Sequence, residues 1–134
     1  MNYGFVKVAA AVPQVKVADC FYNIQQIEGL MRQASQKEVQ IIAFPELSVT
    51  SYTCMDLFSQ ETLLRNAEKA LLDLVNNTAD LDLLTIVGCP LVSGSQLINA
   101  AVAFQRGEIL GVVPKSRALV HGLFTPTAIH DHDR

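Results

Sequence analysis

The chain has 134 residues, half of them hydrophobic, with a net charge of −3. That is enough for one domain with a real core, and too apolar for a disordered chain. The mild acidity supplies no electrostatic footprint for nucleic acid, no basic run suggests a membrane surface, and the apolar runs fall far short of the roughly 18 residues of a spanning helix. Met1-Asn2-Tyr3-Gly4 lacks the basic-then-apolar signature of a secretory signal. Cys20, Cys54 and Cys89 are an odd number at wide spacings, neither a disulfide framework nor a zinc pattern, so a reducing, cytoplasmic setting is expected.

Residues 5–13, rich in Val and Ala, read as a first strand that terminates at Pro13. The run is nearly continuously apolar, which suits a strand covered on both faces. After a short connector, Asp19 is a fair N-cap, and Phe21, Ile24, Ile27, Met31 and Ala34 recur at three- and four-residue steps. This predicts an amphipathic helix over roughly 20–35, with Gln25, Gln26, Arg32 and Gln33 on its wet side. A second strand follows at 39–44, completing a β-α-β unit whose crossover is long enough for a parallel pair.

A polar connection then runs from Glu46 to Phe58. Ser59 is placed to cap a second helix with a buried stripe of Leu63, Leu64, Ala67, Ala70, Leu71, Leu74 and Val75, stopped by Asn76-Asn77. Residues 83–89 read as a third strand that ends at Pro90. Residues 97–104 and 109–113, separated by the turn signal Arg106-Gly107-Glu108, predict an antiparallel hairpin. Residues 117–134 show no clear period, and His130-Asp131-His132-Asp133 reads as a solvated terminus rather than a metal site.

The chemistry centres on Phe44-Pro45-Glu46-Leu47. Pro45 cannot donate a ladder hydrogen bond, so the strand stops there and Glu46 is presented at its carboxyl end, where open α/β sheets place their sites. Two readings follow from the pattern: an acid at a loop edge pointing into water, or a general base whose pKa is raised by apolar surroundings. Val113-Pro114-Lys115 repeats the same grammar at another strand end. The two charges could form a structural ion pair. They could instead divide catalytic work, the acid taking a proton from a nucleophile and the cation stabilising an oxyanion.

Ile42-Ala43-Phe44-Pro45-Glu46-Leu47 followed by Ser51-Tyr52 resembles the first signature of the nitrilase (carbon–nitrogen hydrolase) superfamily. The continuation Tyr52-Thr53-Cys54-Met55-Asp56-Leu57-Phe58 is similar to the glutamine amidohydrolase domain of glutamine-dependent NAD⁺ synthetases, and the segment from Gly107 to Ser116 resembles the second family signature. The resemblance implies an α/β fold, the N-terminal half of a nitrilase-type αββα sandwich with a mixed sheet and two main helices. It also implies a Glu–Lys–Cys triad in which Glu46 is the general base, Lys115 stabilises the tetrahedral intermediate, and a cysteine attacks glutamine to give a thioester. Tyr52 would line the glutamine pocket. Released ammonia would pass to a separate synthetase domain, absent here, to which ATP would belong. No cofactor or metal is expected in this chain itself.

The resemblance stops after Ser116, which divides the chain into a partial hydrolase domain, 1–116, and a divergent tail, 117–134. The family nucleophile lies well beyond the lysine, and none of Cys20, Cys54 or Cys89 fits that position. The expectation is therefore a shortened copy, inactive alone, whose halved sandwich exposes sheet edges and a core face and leaves it marginally stable or self-associating. A different nitrilase-type amidase and a non-enzymatic remnant are the alternative readings.

Overall fold

A computed structural model describes residues 4–50, 61–94 and 96–114. Seven elements follow one another: β1 (Val8–Ala10), α1 (Cys20–Gln36), β2 (Ile41–Ala43), α2 (Glu61–Asn77), β3 (Leu84–Ser93), β4 (Gln96–Gln105) and β5 (Glu108–Pro114). The strands form one mixed sheet in sequence order. β1 pairs parallel with β2, and β2 parallel with β3. β3, β4 and β5 are antiparallel neighbours. The β-α-β unit and the added hairpin thus have the expected topology.

Local chemistry explains the element ends. Asp19 caps α1, its side chain accepting from Tyr22 N at 3.1 Å. The β4–β5 turn places both Arg106 (φ 53°) and Gly107 (φ 81°) in the left-handed region, the signature of a two-residue type I′ hairpin. Arg106 is held there by Asp82, whose Oδ1 accepts from its guanidinium at 2.8 Å.

The core lies between the helices and one face of the sheet. Ile42, Val87, Cys89, Ala100, Val102 and Phe104 are buried on that face, and Cys89 Sγ points at Ala67 O of α2 at 3.9 Å. From α2 the core takes Leu63, Ala67, Ala70, Leu71, Leu74 and Val75, as the stripe predicts, while Leu64 of that stripe is only half-buried. The residues that alternate with the sheet's buried set, Ile41, Ala43, Leu84, Ile86, Ala101 and Ala103, are only half-buried.

Three expectations need correction. β1 is three residues long, and Phe5 (77 % exposed) and Val8 (63 %) lie in the open, so the strand is not covered on both faces. Its continuous apolar run reflects a second face that nothing among the described residues covers. Phe21 is 39 % exposed and stands outside the α1 stripe, whereas Asn23 is fully buried. Arg32 is on the wet side, as expected, and is also a clamp. Its guanidinium donates to both carboxylate oxygens of Asp80 (2.9 and 3.1 Å), to Glu28 Oε2 at 3.1 Å, and to Asn77 O at the end of α2 at 2.9 Å. Finally, β3 does not end at Pro90 but runs on to Ser93. Gly88 N donates to Ser48 Oγ, away from β4, and Pro90 two residues later turns its nitrogen to the same side, so no β3–β4 ladder bond is lost.

The Arg32 clamp makes an acid-side prediction. The Asp80 carboxyl is held below its ordinary value of 3.8 chiefly by its hydrogen bonds with Arg32. A carboxyl depressed in the folded state contributes stability that is present above its unfolded pKa and lost as pH falls through the folded value. Both side chains are substantially exposed, so the effect is small and salt-sensitive. Chemical denaturation of Arg32→Met should show lower stability than the parent at neutral pH, and the difference should shrink towards zero below pH 3.8.

Candidate active site

β2 is short and β3 long, and the site arises from that mismatch. The β2–β3 pairing ends at Ala43 opposite Ile86, which leaves the rest of β3 without a parallel neighbour. The chain from Phe44 to Thr50 folds over that open edge. Phe44 N donates to Ile86 O at 2.9 Å and Val49 N to Gly88 O at 3.2 Å. Between them Ser48 N bonds Pro45 O, Thr50 N bonds Leu47 O, and Leu47 adopts a left-handed φ of 55° that turns the chain back. A non-glycine residue there carries strain of roughly 1–2 kcal/mol. Full burial of the Leu47 side chain helps offset it.

Two further contacts fix this loop. Gly88 is in such close approach that a Cβ on it would overlap Leu47 N and lie 2.8 and 2.9 Å from Glu46 C and Cα. Asn23 of α1 donates to Val49 O and Lys16 O, both at 2.9 Å, and accepts from Lys16 N at 2.7 Å. It thereby ties the 46–50 loop to the segment that follows β1, where Ala18 N also bonds Thr50 O.

Glu46 emerges half-buried from this frame at the carboxyl end of β2, as the Pro45 argument requires. It borders two small clefts. One, of about 160 Å³, runs between Val12, Pro13, Val15 and the Pro45–Ser48 turn. The other, of about 80 Å³, lies on the half-buried face of the sheet among Phe44, Pro45, Glu46, Ile86, Gly88 and Asn99. Its walls are largely apolar, and Asn99, 1 % exposed, is its buried amide. Asn99 Nδ2 has no hydrogen-bond partner among the described residues. A buried donor left so costs about 1–3 kcal/mol.

Asn99 and Asn23 are the residues that sequence reasoning missed. Each had a faint signal: a single amide inside the apolar run Leu97-Ile98-Asn99-Ala100-Ala101, and an amide four residues before Ile27 on a buried stripe. Lys115, Tyr52 and Cys54 lie outside the described residues, as do Ser59, the 116/117 boundary and the His130–Asp133 tail. β5 is described as far as Pro114, which pairs with Ala100 and so ends beside Asn99. The cysteines in view are not poised for attack. Cys20 is buried, and burial away from water pushes the Cys89 thiol far above its ordinary value. Among the described residues no cluster of His, Cys, Asp and Glu could hold a metal. No helix there is long and apolar enough to cross a membrane.

Comparison with known proteins bears on this arrangement. The carbon-nitrogen hydrolase family profile matches residues 7–127. The chain belongs to the carbon–nitrogen hydrolase family. Over 115 residues, 86 % of its length, it is 39 % identical to the glutamine-dependent NAD(+) synthetase of Mycobacterium tuberculosis. Over 99 residues it is 36 % identical to that of Aquifex aeolicus. The chain spans 17 % of the length of each of these relatives. Among solved structures it superimposes on a glutamine-dependent NAD(+) synthetase from Cytophaga hutchinsonii with a TM-score of 0.77 at 22 % identity, covering 83 % of this chain and 19 % of that one. A nitrilase-superfamily amidase from Nesterenkonia gives 0.71 at 19 % identity, covering 90 % and 48 %. The mixed sheet and two helices are thus a portion of a nitrilase-type fold.

The Gly88 contact in this carbon–nitrogen hydrolase portion is directly testable. Gly88→Ala should destabilise the chain by about 1–3 kcal/mol through overpacking against backbone that cannot yield as a side-chain tip would. Urea unfolding measures the loss. The backbone amide signals of residues 44–50 should move more than those of β5.

Proposed function

We propose that this chain is part of a glutamine amidohydrolase domain, of the kind that supplies ammonia for amidating an NAD⁺ precursor, and that Glu46 is its general base. The observation that carries this reading is the placement of Glu46. It stands at the carboxyl end of β2, held by the Gly88 contact at the mouth of a cleft, in a chain 39 % identical to a glutamine-dependent NAD(+) synthetase. In the reaction, the Glu46 carboxylate takes the proton of a cysteine thiol as sulfur adds to the glutamine carboxamide. The Lys115 ammonium stabilises the oxyanion. Glu46 then returns the proton to the departing ammonia, leaving a thioester. Water, deprotonated by Glu46, hydrolyses that thioester to glutamate. Tyr52 lines the glutamine pocket. This hydrolysis needs no cofactor, and ATP serves the synthetase reaction.

The 134-residue chain does not complete this chemistry alone, in our reading. Its cysteines are Cys20, Cys54 and Cys89, and the latter's thiol is buried and kept protonated against α2. A reducing, cytoplasmic setting suits the thiol chemistry. Ammonia release from glutamine by the purified chain should not exceed the blank. Mixing it with the remainder of a relative's glutaminase domain, expressed separately, should restore release, and Glu46→Gln should then cut the rate by roughly 10²-fold or more. Turnover of simple linear amides in preference to glutamine would favour the other nitrilase-type amidase. Restored activity that is indifferent to Glu46 would sink the assignment of the base.

The half-buried sheet face and the exposed Phe5, Val6, Val8 and Val113 support a second property, association with another copy of this chain. Sedimentation velocity should show a concentration-dependent dimer or larger species. A monomer at every concentration would refute it.

A further inference from the structure

The turn that presents Glu46 is bent at the next residue, Leu47, whose φ of 55° lies in the left-handed region. A side-chain-bearing residue stays there only where its surroundings over-determine it. Most of those surroundings are local or belong to β3: Ser48 N bonds Pro45 O, Thr50 N bonds Leu47 O, and Val49 N bonds Gly88 O. One restraint comes from the helix layer. Val49 O accepts from Asn23 Nδ2 of α1 at 2.9 Å, so Val49 is held on both sides, its N–H by β3 and its carbonyl by α1. Asn23 is itself fixed. It is 0 % exposed and pairs with both backbone groups of Lys16, Nδ2 donating to Lys16 O at 2.9 Å and Oδ1 accepting from Lys16 N at 2.7 Å. Both of its N–H donors are thus in use. The two residues it grips each follow one wall of the 160 Å³ cleft, Lys16 after Val15 and Val49 after Ser48. Ala18 N, bonded to Thr50 O at 3.0 Å, joins the same two segments further along. One such bond lets the segments pivot, whereas the three at Asn23 do not.

We propose that Asn23 is a positioning residue for Glu46: its hydrogen bond to Val49 O holds the far end of the 46–50 turn, keeps Leu47 left-handed, and so fixes the direction of the Glu46 carboxylate. This rests on the reading of Glu46 as the general base and names a group outside both clefts that serves it. Rotation about φ of Leu47 turns everything before it, Glu46 included, relative to Val49. Once Val49 O is released, Leu47 relieves its strain by moving to a negative φ, and Glu46 swings with it. The Gly88 contact limits that swing, so the carboxylate is re-aimed rather than withdrawn. A displacement of about 1 Å in a catalytic group is enough to cost on the order of 100-fold in rate.

The test uses the whole chain, labelled with ¹³C and ¹⁵N. In the parent, Leu47 should show the strong intraresidue amide–Hα NOE of a left-handed residue. Asn23→Asp keeps the oxygen that accepts from Lys16 N and removes the donor to Val49 O. It should weaken that NOE and move the Glu46 side-chain signals, with β4 and β5 unmoved. Asn23→Ser, which places no charge in the core, should do the same. Ile27→Val, a change at another fully buried residue of α1, should leave Leu47 and Glu46 as in the parent. If Leu47 keeps its NOE and Glu46 its signals in both Asn23 variants, the assignment falls. If Ile27→Val reproduces their effect, or if neither Asn23 variant folds, Asn23 serves the fold as a whole and the assignment falls. In the complemented glutaminase domain, Asn23→Ser should lower kcat about tenfold or more and leave KM nearly unchanged, and a loss confined to KM overturns the assignment. If the complemented parent releases no ammonia, the glutaminase reading fails, and the Leu47 and Glu46 signals still decide the role of Asn23.

Discussion

The contact on which this structure depends is between two stretches of backbone: Gly88 of β3 against the Glu46–Leu47 peptide. No side chain stands between them. The loop after β2 can therefore lie against the β3 edge and satisfy its polar groups there, with Val49 N on Gly88 O and Ser48 Oγ accepting from Gly88 N. A methyl group at residue 88 would lift the loop off the edge and unmake those bonds together. The direction in which Glu46 leaves the sheet is set by that contact, because its own Cα and carbonyl carbon are among the atoms in closest approach.

Around this contact the fold divides its labour. The face of the sheet that packs on α1 and α2 carries the large buried side chains, from Ile42 to Phe104, and supplies the stability. The opposite face carries small or half-buried residues, such as Ala43, Ala101 and Ala103, together with the buried amide of Asn99. The 80 Å³ cleft beside Glu46 opens on this weakly packed side, where it does not empty the core. Asn23 reaches the same loop from the other layer. Its three hydrogen bonds couple α1, the segment after β1, and Val49, so that the helix layer braces a site it does not line.

What was legible in the chain was whatever depends on neighbours in sequence. The Asp19 cap, the α2 stripe, the Arg106-Gly107 turn and the halt at Pro45 are local matters of spacing and backbone chemistry, and they reappear in the structure. The misreadings have a common cause. Pro90 was taken as a strand end because a proline lacks a donor, but whether that donor is needed depends on which side of β3 its nitrogen faces. Phe21 was counted as core by its spacing, yet it is left 39 % exposed. Arg32 is on the wet side as expected, but its target, Asp80, lies forty-eight residues away and could not be read from its neighbours.

The sequence by itself determined the elements, their order, the parallel-then-antiparallel plan, and the position of Glu46 at a strand end, since these follow from periodicity, capping and proline chemistry within a few residues. It also held the family signature. Only the tertiary structure decided that Gly88 is the residue on which the Glu46 loop rests, that Asn23 and Asn99 are buried amides with opposite fates, and that one sheet face stays half-covered. Those facts rest on which segments distant in sequence meet in space. Asn23 finds Val49 twenty-six residues on and is satisfied, whereas Asn99 Nδ2 finds no hydrogen-bond partner among the described residues, and nothing in either residue's immediate sequence distinguishes the two.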